Sequence, residues 1–203
     1  MVTLRTSLGS PFGRKARIAA SVLGLDGKIK VEPASTQDDN DPLVQQNPLG
    51  KVPVLILDDG STLFDSPVLL EYLDVLAGGG RILPKDSKAR FEALRLQALA
   101  DGILDAGILV VYESRYRPPE MAVQGWLDRQ LGKIARALST LEAAPPSLDS
   151  TPNVGQITLA CALGYLDFRF KGEWRKSHPR LVAWLDNFSA RVPAFAATVP
   201  PPG

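Results

Sequence analysis

The chain has 203 residues, of which 45% are apolar and 22% charged, and its 23 Lys plus Arg nearly balance 22 Asp plus Glu. A chain of that length buries about 70% of its unfolded surface, which excludes wholesale disorder and leaves room for one large domain or two small ones. The net charge of +1 provides no field to gather phosphate backbones or anionic lipid, so neither nucleic acid nor a membrane is expected as a partner.

The first 80 residues alternate short β-type runs with helical patterns. Val2-Thr3-Leu4-Arg5-Thr6 alternates as a strand, and residues 12 to 24 then put Phe12, Ala16, Ala19, Ala20 and Leu23 on one helical stripe that Gly24 closes. Ile29 to Val31 is a second short strand, and the polar stretch 34 to 47 reads as loop with one helical turn. Val52 to Leu57 is a strongly apolar run, which Asp58-Asp59-Gly60 turns as a hairpin into Ser61 to Phe64. Ser66 to Ala77 is predicted as a helix, stopped by Gly78-Gly79-Gly80. Beyond a connector ending near Pro84 no strand pattern recurs. Residues 87 to 116, 120 to 143, 153 to 170 and 178 to 191 carry apolar side chains at three- and four-residue spacing, the mark of helices. Pro145-Pro146 breaks one connection, and Pro200-Pro201-Pro202-Gly203 is expected to fray. Residues 1–80 are therefore expected to form a small α/β unit and 81–203 an all-helical one.

Cysteine and histidine usage narrows the chemistry. One cysteine, Cys161, excludes an internal disulfide framework and any CxxC pair, and one histidine, His178, removes multi-histidine metal sites and the usual triads. No metal site is expected. No apolar run reaches the ~18 residues of a membrane span, and the N-terminus shows no apolar signal region, so a soluble protein of the cytoplasm is expected. Cys161, among Leu159, Ala160, Ala162 and Leu163, reads as buried packing, and His178 before Pro179 as a cap or surface residue at the start of the last helix. Trp126 reads first as core, and Glu113, Arg115 and Arg117 as a solvated helix end.

Three segments carry features that chemistry could use. Gly9-Ser10-Pro11-Phe12-Gly13-Arg14-Lys15 joins the first strand to the first helix, with Ser10 as N-cap and Pro11 at the first helical position. Free amides and the positive helix end favour an anion beside Ser10, although a cap alone would explain the serine. Leu49-Gly50-Lys51-Val52-Pro53-Val54-Leu55 puts a proline at a strand mouth. That position leaves the Val52 backbone able to pair with an extended peptide, and it makes Val52-Pro53 a candidate cis bond, although an ordinary edge strand also starts this way. Phe64-Asp65-Ser66-Pro67 repeats the serine-proline start. Here Ser66 is expected to cap, its amides to suit a carboxylate, and Asp65 to suit an ammonium group, so one zwitterion would satisfy both.

In this order and spacing, these segments resemble the glutathione-binding half of the cytosolic glutathione S-transferase superfamily, with the look of a bacterial, serine-type member. The resemblance runs on through Glu71-Tyr72-Leu73, through Ala98-Leu99-Ala100-Asp101-Gly102-Ile103-Leu104-Asp105-Ala106 and through Leu159 to Arg169, nearly the whole chain. It implies a thioredoxin-like N-terminal domain with a four-stranded mixed sheet and helices, followed by an all-α C-terminal domain, usually as a homodimer. It further implies glutathione as co-substrate with no other cofactor, a small electrophilic second substrate, and a detoxification role. Position by position, Ser10 matches the hydroxyl that bonds the glutathione sulfur, beside Phe12. Val52, before Pro53, matches the backbone that pairs with the cysteinyl part. Asp65 and Ser66 match the pair holding the γ-glutamyl end, and Lys51 is placed to reach the glycyl carboxylate. Asn153-Val154-Gly155-Gln156 resembles the capping box of the family's buried helix, with Asn and Gln in place of the usual Ser or Thr and Asp.

The physical task suits such a site. A thiol of pKa about 8.5 must have its anion favoured by about 2.7 kcal/mol to drop by two units. A hydroxyl bond to the charged sulfur contributes ~1.5–3 kcal/mol and a helix N-terminus up to ~2. Thr6 and Ser7 lie near enough to compete with Ser10 for the sulfur, and Asp101 is a further acidic residue whose reach to glutathione stays open. The electrophile is expected against residues near 105 to 116, where Tyr112, Tyr116 and Trp126 either line an apolar pocket or fill core. A glutathione-binding or interaction protein without catalysis is the alternative, and peroxide reduction through bound glutathione stays open. An oxidoreductase with its own cysteine is disfavoured by serine at position 10.

Overall fold

Residues 1–201 are described by a computed structural model, so Pro202 and Gly203 of the expected frayed tail lie outside the described residues. Strand β1 (Val2–Thr6) leads into α1 (Pro11–Val22), and β2 (Ile29–Pro33) returns parallel to β1 with Leu4 opposite Val31. Parallel neighbours need such a helical crossover, which is why strand, helix and strand follow in that order. After the single turn α2 (Leu43–Gln46), β3 (Val54–Ile56) pairs antiparallel with β1 and β4 (Thr62–Leu63) antiparallel with β3. The result is the expected four-stranded mixed sheet, in the order β2-β1-β3-β4. Strand β3 is shorter than the apolar run 52 to 57, because Pro53 has no N–H for a ladder.

Helix α3 (Ser66–Leu76) follows the sheet, and the glycine run after it is built around one carboxylate. Gly78, Gly79 and Gly80 all take positive φ (101°, 76° and 78°), a backbone only glycine adopts freely. This bend brings the amides of Gly80, Arg81 and Ile82 onto Asp74, at 2.6, 2.9 and 2.8 Å. The remaining elements are helical: α4 (Ser87–Tyr116), α5 (Gln124–Ala143), α6 (Val154–Phe170), α7 (Pro179–Arg191) and α8 (Pro193–Ala197). Helix α5 begins four residues later than its periodicity predicts, because Pro118-Pro119 forces a 3-10 turn at Pro119–Met121. The short α8 after Val192 is not anticipated by the sequence pattern, so α7, which His178 precedes, is not the last helix.

One hydrophobic core runs from the sheet through α1 into the helices. Helix α6 is its axis: every residue from Val154 to Leu166 is buried, as expected of a helix that is apolar on all sides. Gly155 allows α4 to approach it, since a Cβ there would lie 2.5 Å from the Ala93 carbonyl oxygen. The Asn153–Gln156 box is formed in both directions: Gly155 and Gln156 amides donate to Asn153 Oδ1 at 3.0 and 3.1 Å, and Asn153 N donates to Gln156 Oε1 at 2.8 Å. Arg14 crosses from α1 to the chain end, donating to the Phe195 carbonyl at 2.7 Å and lying 4.1 Å over the Phe195 ring. Helix α1, which Ser10 N-caps, is thereby tied to α8. Cys161 is fully buried and burial pushes its thiol up to about 12, which makes it the inert packing residue expected.

Candidate functional site

The three sequence segments converge on one cleft between the sheet and α4. Ser10 is the N-cap of α1 in extended geometry, and its Oγ accepts from the Gly13 amide at 3.2 Å. Accepting that bond leaves the hydroxyl proton free to donate elsewhere. Gly13 is obligatory for this placement, because a Cβ there would overlap Thr6 Oγ1 of β1. Thr6 itself is buried, 1% exposed, with its hydroxyl directed to the Ser7 carbonyl, whereas Ser7 lines the cleft.

The second segment is held open by Asn47. Its Oδ1 accepts from Leu49 N at 3.0 Å and its Nδ2 donates to the Lys51 carbonyl at 2.9 Å, with Gly50 at φ 60° completing the turn. Val52-Pro53 is cis, as is Phe64-Asp65. Val52 precedes β3, and among the described residues its N–H and C=O have no partner in the loop or on a side chain. Lys51 is exposed beside it.

At the third segment the structure corrects the expected cap. Asp65, not Ser66, is the N-cap of α3: its backbone is extended, its carbonyl accepts the first helical bond from Leu69 N at 3.1 Å, and Ser66 is already helical. With Pro67 second rather than first, the register is one residue earlier than in α1. The Asp65 side chain makes no cap bond and stays exposed, while Ser66 is 1% exposed. Both border a cavity of about 230 Å³ with Val52, Pro53 and Asp101.

A larger cavity of about 660 Å³ continues from it, the two sharing Phe12, Leu49, Lys51, Val52 and Asp105. Ser10 stands in the larger one, opposite Ile108, Leu109, Tyr112 and Tyr116 of α4. Helix α6 contributes Tyr165 and Arg169 to the same cavity. Tyr112 and Tyr116 pack edge to face, centroids 5.2 Å apart, and remain 38% and 58% exposed. Trp126 is 41% exposed on the rim beside them, so its reading as core is overturned: only the second turn of α5 onward reaches the bundle. Glu113 is likewise not solvated but 6% exposed, accepting from Arg117 at 3.2 Å and from Val123 N at 3.3 Å, where it ties the end of α4 to the start of α5. His178 N-caps α7 by position, without a side-chain cap bond.

The electrostatics are uneven along the cleft. Lys15, fully buried, reaches Asp101 Oδ1 at 2.6 Å. Burial raises the Asp101 pKa and Lys15 opposes that rise, while Asp105 is raised chiefly by burial and opposed by Lys51 and Lys15. Tyr165 is also raised by burial, with the Arg169 guanidinium opposing it. Sequence reading found Ser10, Phe12, Lys51, Val52, Pro53, Asp65 and Ser66, all of which border the cleft. It gave no role to Lys15, Tyr165 or Arg169, which lie inside ordinary helical stripes. No group of three or more His, Cys, Asp or Glu side chains is arranged for a metal ion among the described residues.

Comparison with known proteins decides the family. The glutathione S-transferase N-terminal domain matches residues 9–76 and the glutathione S-transferase C-terminal domain residues 124–187. The chain belongs to the glutathione S-transferase family. It is 38% identical to the uncharacterized GST-like protein YibF of Escherichia coli K12, over 96% of each chain. It is 44% identical to a glutathione transferase family member from Pseudomonas fluorescens Pf-5 crystallised with bound glutathione, covering 99% and 100% of the two chains at a TM-score of 0.92. That Pseudomonas protein has also been crystallised with S-(propanoic acid)-glutathione. A glutathione S-transferase from Methylobacillus flagellatus with glutathione bound is 32% identical, covering 99% and 100%, at a TM-score of 0.91.

Proposed function

We propose that this family member is a glutathione transferase, in which the thiolate of bound glutathione attacks a small, partly apolar electrophile. The observation that carries the reading is the continuity of the two cavities past Ser10: one holds peptide-binding features and the other an open, partly aromatic wall. In this reading residues 1–80 bind glutathione and 81–203 supply the acceptor wall. Asp65 and Ser66 take the γ-glutamyl end, Val52 before Pro53 pairs with the cysteinyl backbone, and Lys51 meets the glycyl carboxylate, with Phe12 against the tripeptide. Ser10 then donates its hydroxyl proton to the sulfur at the N-terminus of α1. Ser10 is preferred to Thr6 and Ser7 because it is the N-cap of α1, where helix dipole and hydroxyl act together. Glutathione bound in the Pseudomonas and Methylobacillus relatives supports the ligand, and the conjugate in the former supports room beyond the sulfur. The setting we propose is a cytoplasmic homodimer that consumes electrophiles; among the described residues no helix is long and apolar enough to cross a membrane.

Calorimetry with glutathione and turnover of 1-chloro-2,4-dinitrobenzene test this directly. In Ser10→Ala the lost charge-assisted bond, ~1.5–3 kcal/mol, raises the bound thiol by about one to two pKa units, so turnover at pH 7 falls about 10- to 100-fold while glutathione still binds. Binding without turnover of any electrophile would instead assign a glutathione-binding protein, and unchanged turnover in Ser10→Ala would remove Ser10 from its role.

A further inference from the structure

The larger cavity has two chemically different ends. At the end shared with the smaller cavity, Asp105 lies within the fields of Lys51, Lys15 and Asp65, so charges of both signs compensate one another. Arg169, Arg115 and Tyr165 line the larger cavity but not the smaller one, and among the described residues the larger cavity's lining has no carboxylate besides Asp105. Neither arginine forms an ion pair or hydrogen bond with a carboxylate among the described residues. Other arginines are anchored: Arg5 on Asp41 at 2.9 Å, Arg14 on the Phe195 carbonyl at 2.7 Å, Arg175 on Asp167 at 2.7 Å. Arg169 lines the cavity instead, with no carboxylate on its guanidinium and, like Arg5, an Nε that is buried without a partner among the described residues.

Its orientation is nevertheless fixed. The guanidinium stacks on the Phe168 ring with Cζ 4.0 Å from the centroid, and the Tyr165 hydroxyl lies beside it. Its Nη2 stands 3.5 Å from where a Cβ on Gly9 would project, one residue before Ser10. A pre-ordered guanidinium with no carboxylate partner therefore lines the cavity that Ser10 borders. It does not serve the carboxylates of glutathione in the proposed pose, because those face Lys51 and the Asp65–Ser66 end of the smaller cavity, which Arg169, Arg115 and Tyr165 do not border.

We propose that the second substrate is a small electrophile bearing a carboxylate, which Arg169 binds with the Tyr165 hydroxyl beside it and which Arg115 attracts from the rim. This rests on the glutathione transferase reading and narrows its acceptor to an anion. A guanidinium holds a carboxylate by two parallel charge-assisted bonds, and a partly buried site strengthens them over water. Ile108, Leu109 and Tyr112 then cover the apolar body of the acceptor, and a cavity of about 660 Å³ admits such a molecule beside the sulfur. Anchoring the carboxylate positions the electrophilic carbon against the thiolate, which contributes to rate through orientation.

Two conjugates that differ in a single group test the proposal without requiring turnover. S-carboxymethylglutathione and S-carbamoylmethylglutathione are titrated into the full-length protein by calorimetry, with glutathione as reference. The native protein is expected to bind the acid at least 10-fold more tightly than the amide. Arg169→Met is expected to bring the two within twofold while glutathione affinity is kept, Arg169→Lys to retain part of the preference, and Arg115→Met to lose less of it. Equal affinities in the native protein would overturn the proposal, and that comparison needs no variant to fold. A preference that survives Arg169→Met would also overturn it. So would a raised pKa of the bound glutathione thiol in that variant, followed by thiolate absorbance, with the acid preference intact, because Arg169 would then serve the sulfur. Glutathione binding with equal conjugate affinities refutes the anionic acceptor alone, whereas no heat with glutathione itself refutes the underlying reading and the acceptor with it.

Discussion

Gly13→Ala is the substitution for which the structure makes the firmest demand. Position 13 is in the first turn of α1, where alanine is intrinsically better than glycine by about 1 kcal/mol. A Cβ there, however, would overlap Thr6 Oγ1, and would lie 2.8 Å from Thr6 Cβ and 3.2 Å from its Cγ2. Comfortable carbon contacts begin near 3.5 Å, so the helix must retreat from the strand by roughly 0.7 Å or more. The strand cannot yield in its place, because β1 is paired on both sides, with β2 and with β3. Thr6 is 1% exposed, so its side chain has no solvent to turn into. Overpacking of this kind costs ~1–3 kcal/mol, and because Thr6 Cβ is fixed by the strand backbone and Oγ1 has only buried space to turn into, the cost lies at the upper end. Subtracting the propensity gain leaves a net loss of about 2 kcal/mol, or ~4–8 °C in Tm for a chain of this size. Urea denaturation at one fixed protein concentration measures it. Adding Thr6→Ala removes Oγ1 and Cγ2, so the double variant should be more stable than the sum of the singles by at least about 1 kcal/mol. A Gly13→Ala protein as stable as the native one would refute the reasoning, as would strict additivity.

The pair formed by fully buried Lys15 and part-buried Asp101 should behave as a unit. Asp101→Leu alone leaves an ammonium ion without its partner and should cost ~3–5 kcal/mol, whereas Lys15→Met with Asp101→Leu should recover at least about 2 of that; a single-variant loss below about 1 kcal/mol by denaturation would count against burial of the charge. Asp105 predicts a pH effect of definite sign. Its pKa is raised in the folded protein, so the folded state holds the proton more tightly. Its contribution to stability is complete below the unfolded pKa of about 3.9 and is lost as pH rises through the folded value. Thermal melts should therefore show Asp105→Asn gaining on the native protein as pH goes from 4 to 7, and a gap that narrows over that range would contradict the sign.

Most of the architecture was legible because it rests on local patterns that packing did not override. Alternation in Val2–Thr6, the Ser10-Pro11 start and the Asp59-Gly60 turn each name a backbone state that only a few sequences favour, and the fold keeps all three. The cleft was legible for the same reason: Ser10, Val52 and Asp65 act through backbone geometry that a capping residue or a proline announces. The one-residue error at Ser66 has a local cause as well. A serine before proline fits the N-cap or the first helical position equally, and the residues around it do not distinguish the two.

What was not legible depends on which surfaces meet. Trp126 and Glu113 show periodicities that say they are on a helix but not how far the neighbouring helix extends over them. The 3-10 turn at Pro119–Met121 folds Val123 back onto Glu113, so a charged residue is buried, while the first turn of α5 overhangs and leaves a tryptophan 41% exposed. Arg169 is the sharpest instance. A basic residue in the last turn of a helix complements the dipole and explains itself, so nothing in its sequence position distinguishes it from Arg191 at the end of α7. Only the packing does. Arg191 donates to the Leu148 and Asp149 carbonyls at 3.1 and 2.7 Å, whereas Arg169, stacked on Phe168, has no carboxylate or carbonyl acceptor among the described residues and lines the cavity that Ser10 borders. A fold that satisfies one helix-end arginine with backbone and leaves the other facing a cavity has assigned them different work, and a carboxylate on the incoming substrate is the acceptor whose charge and shape match the second.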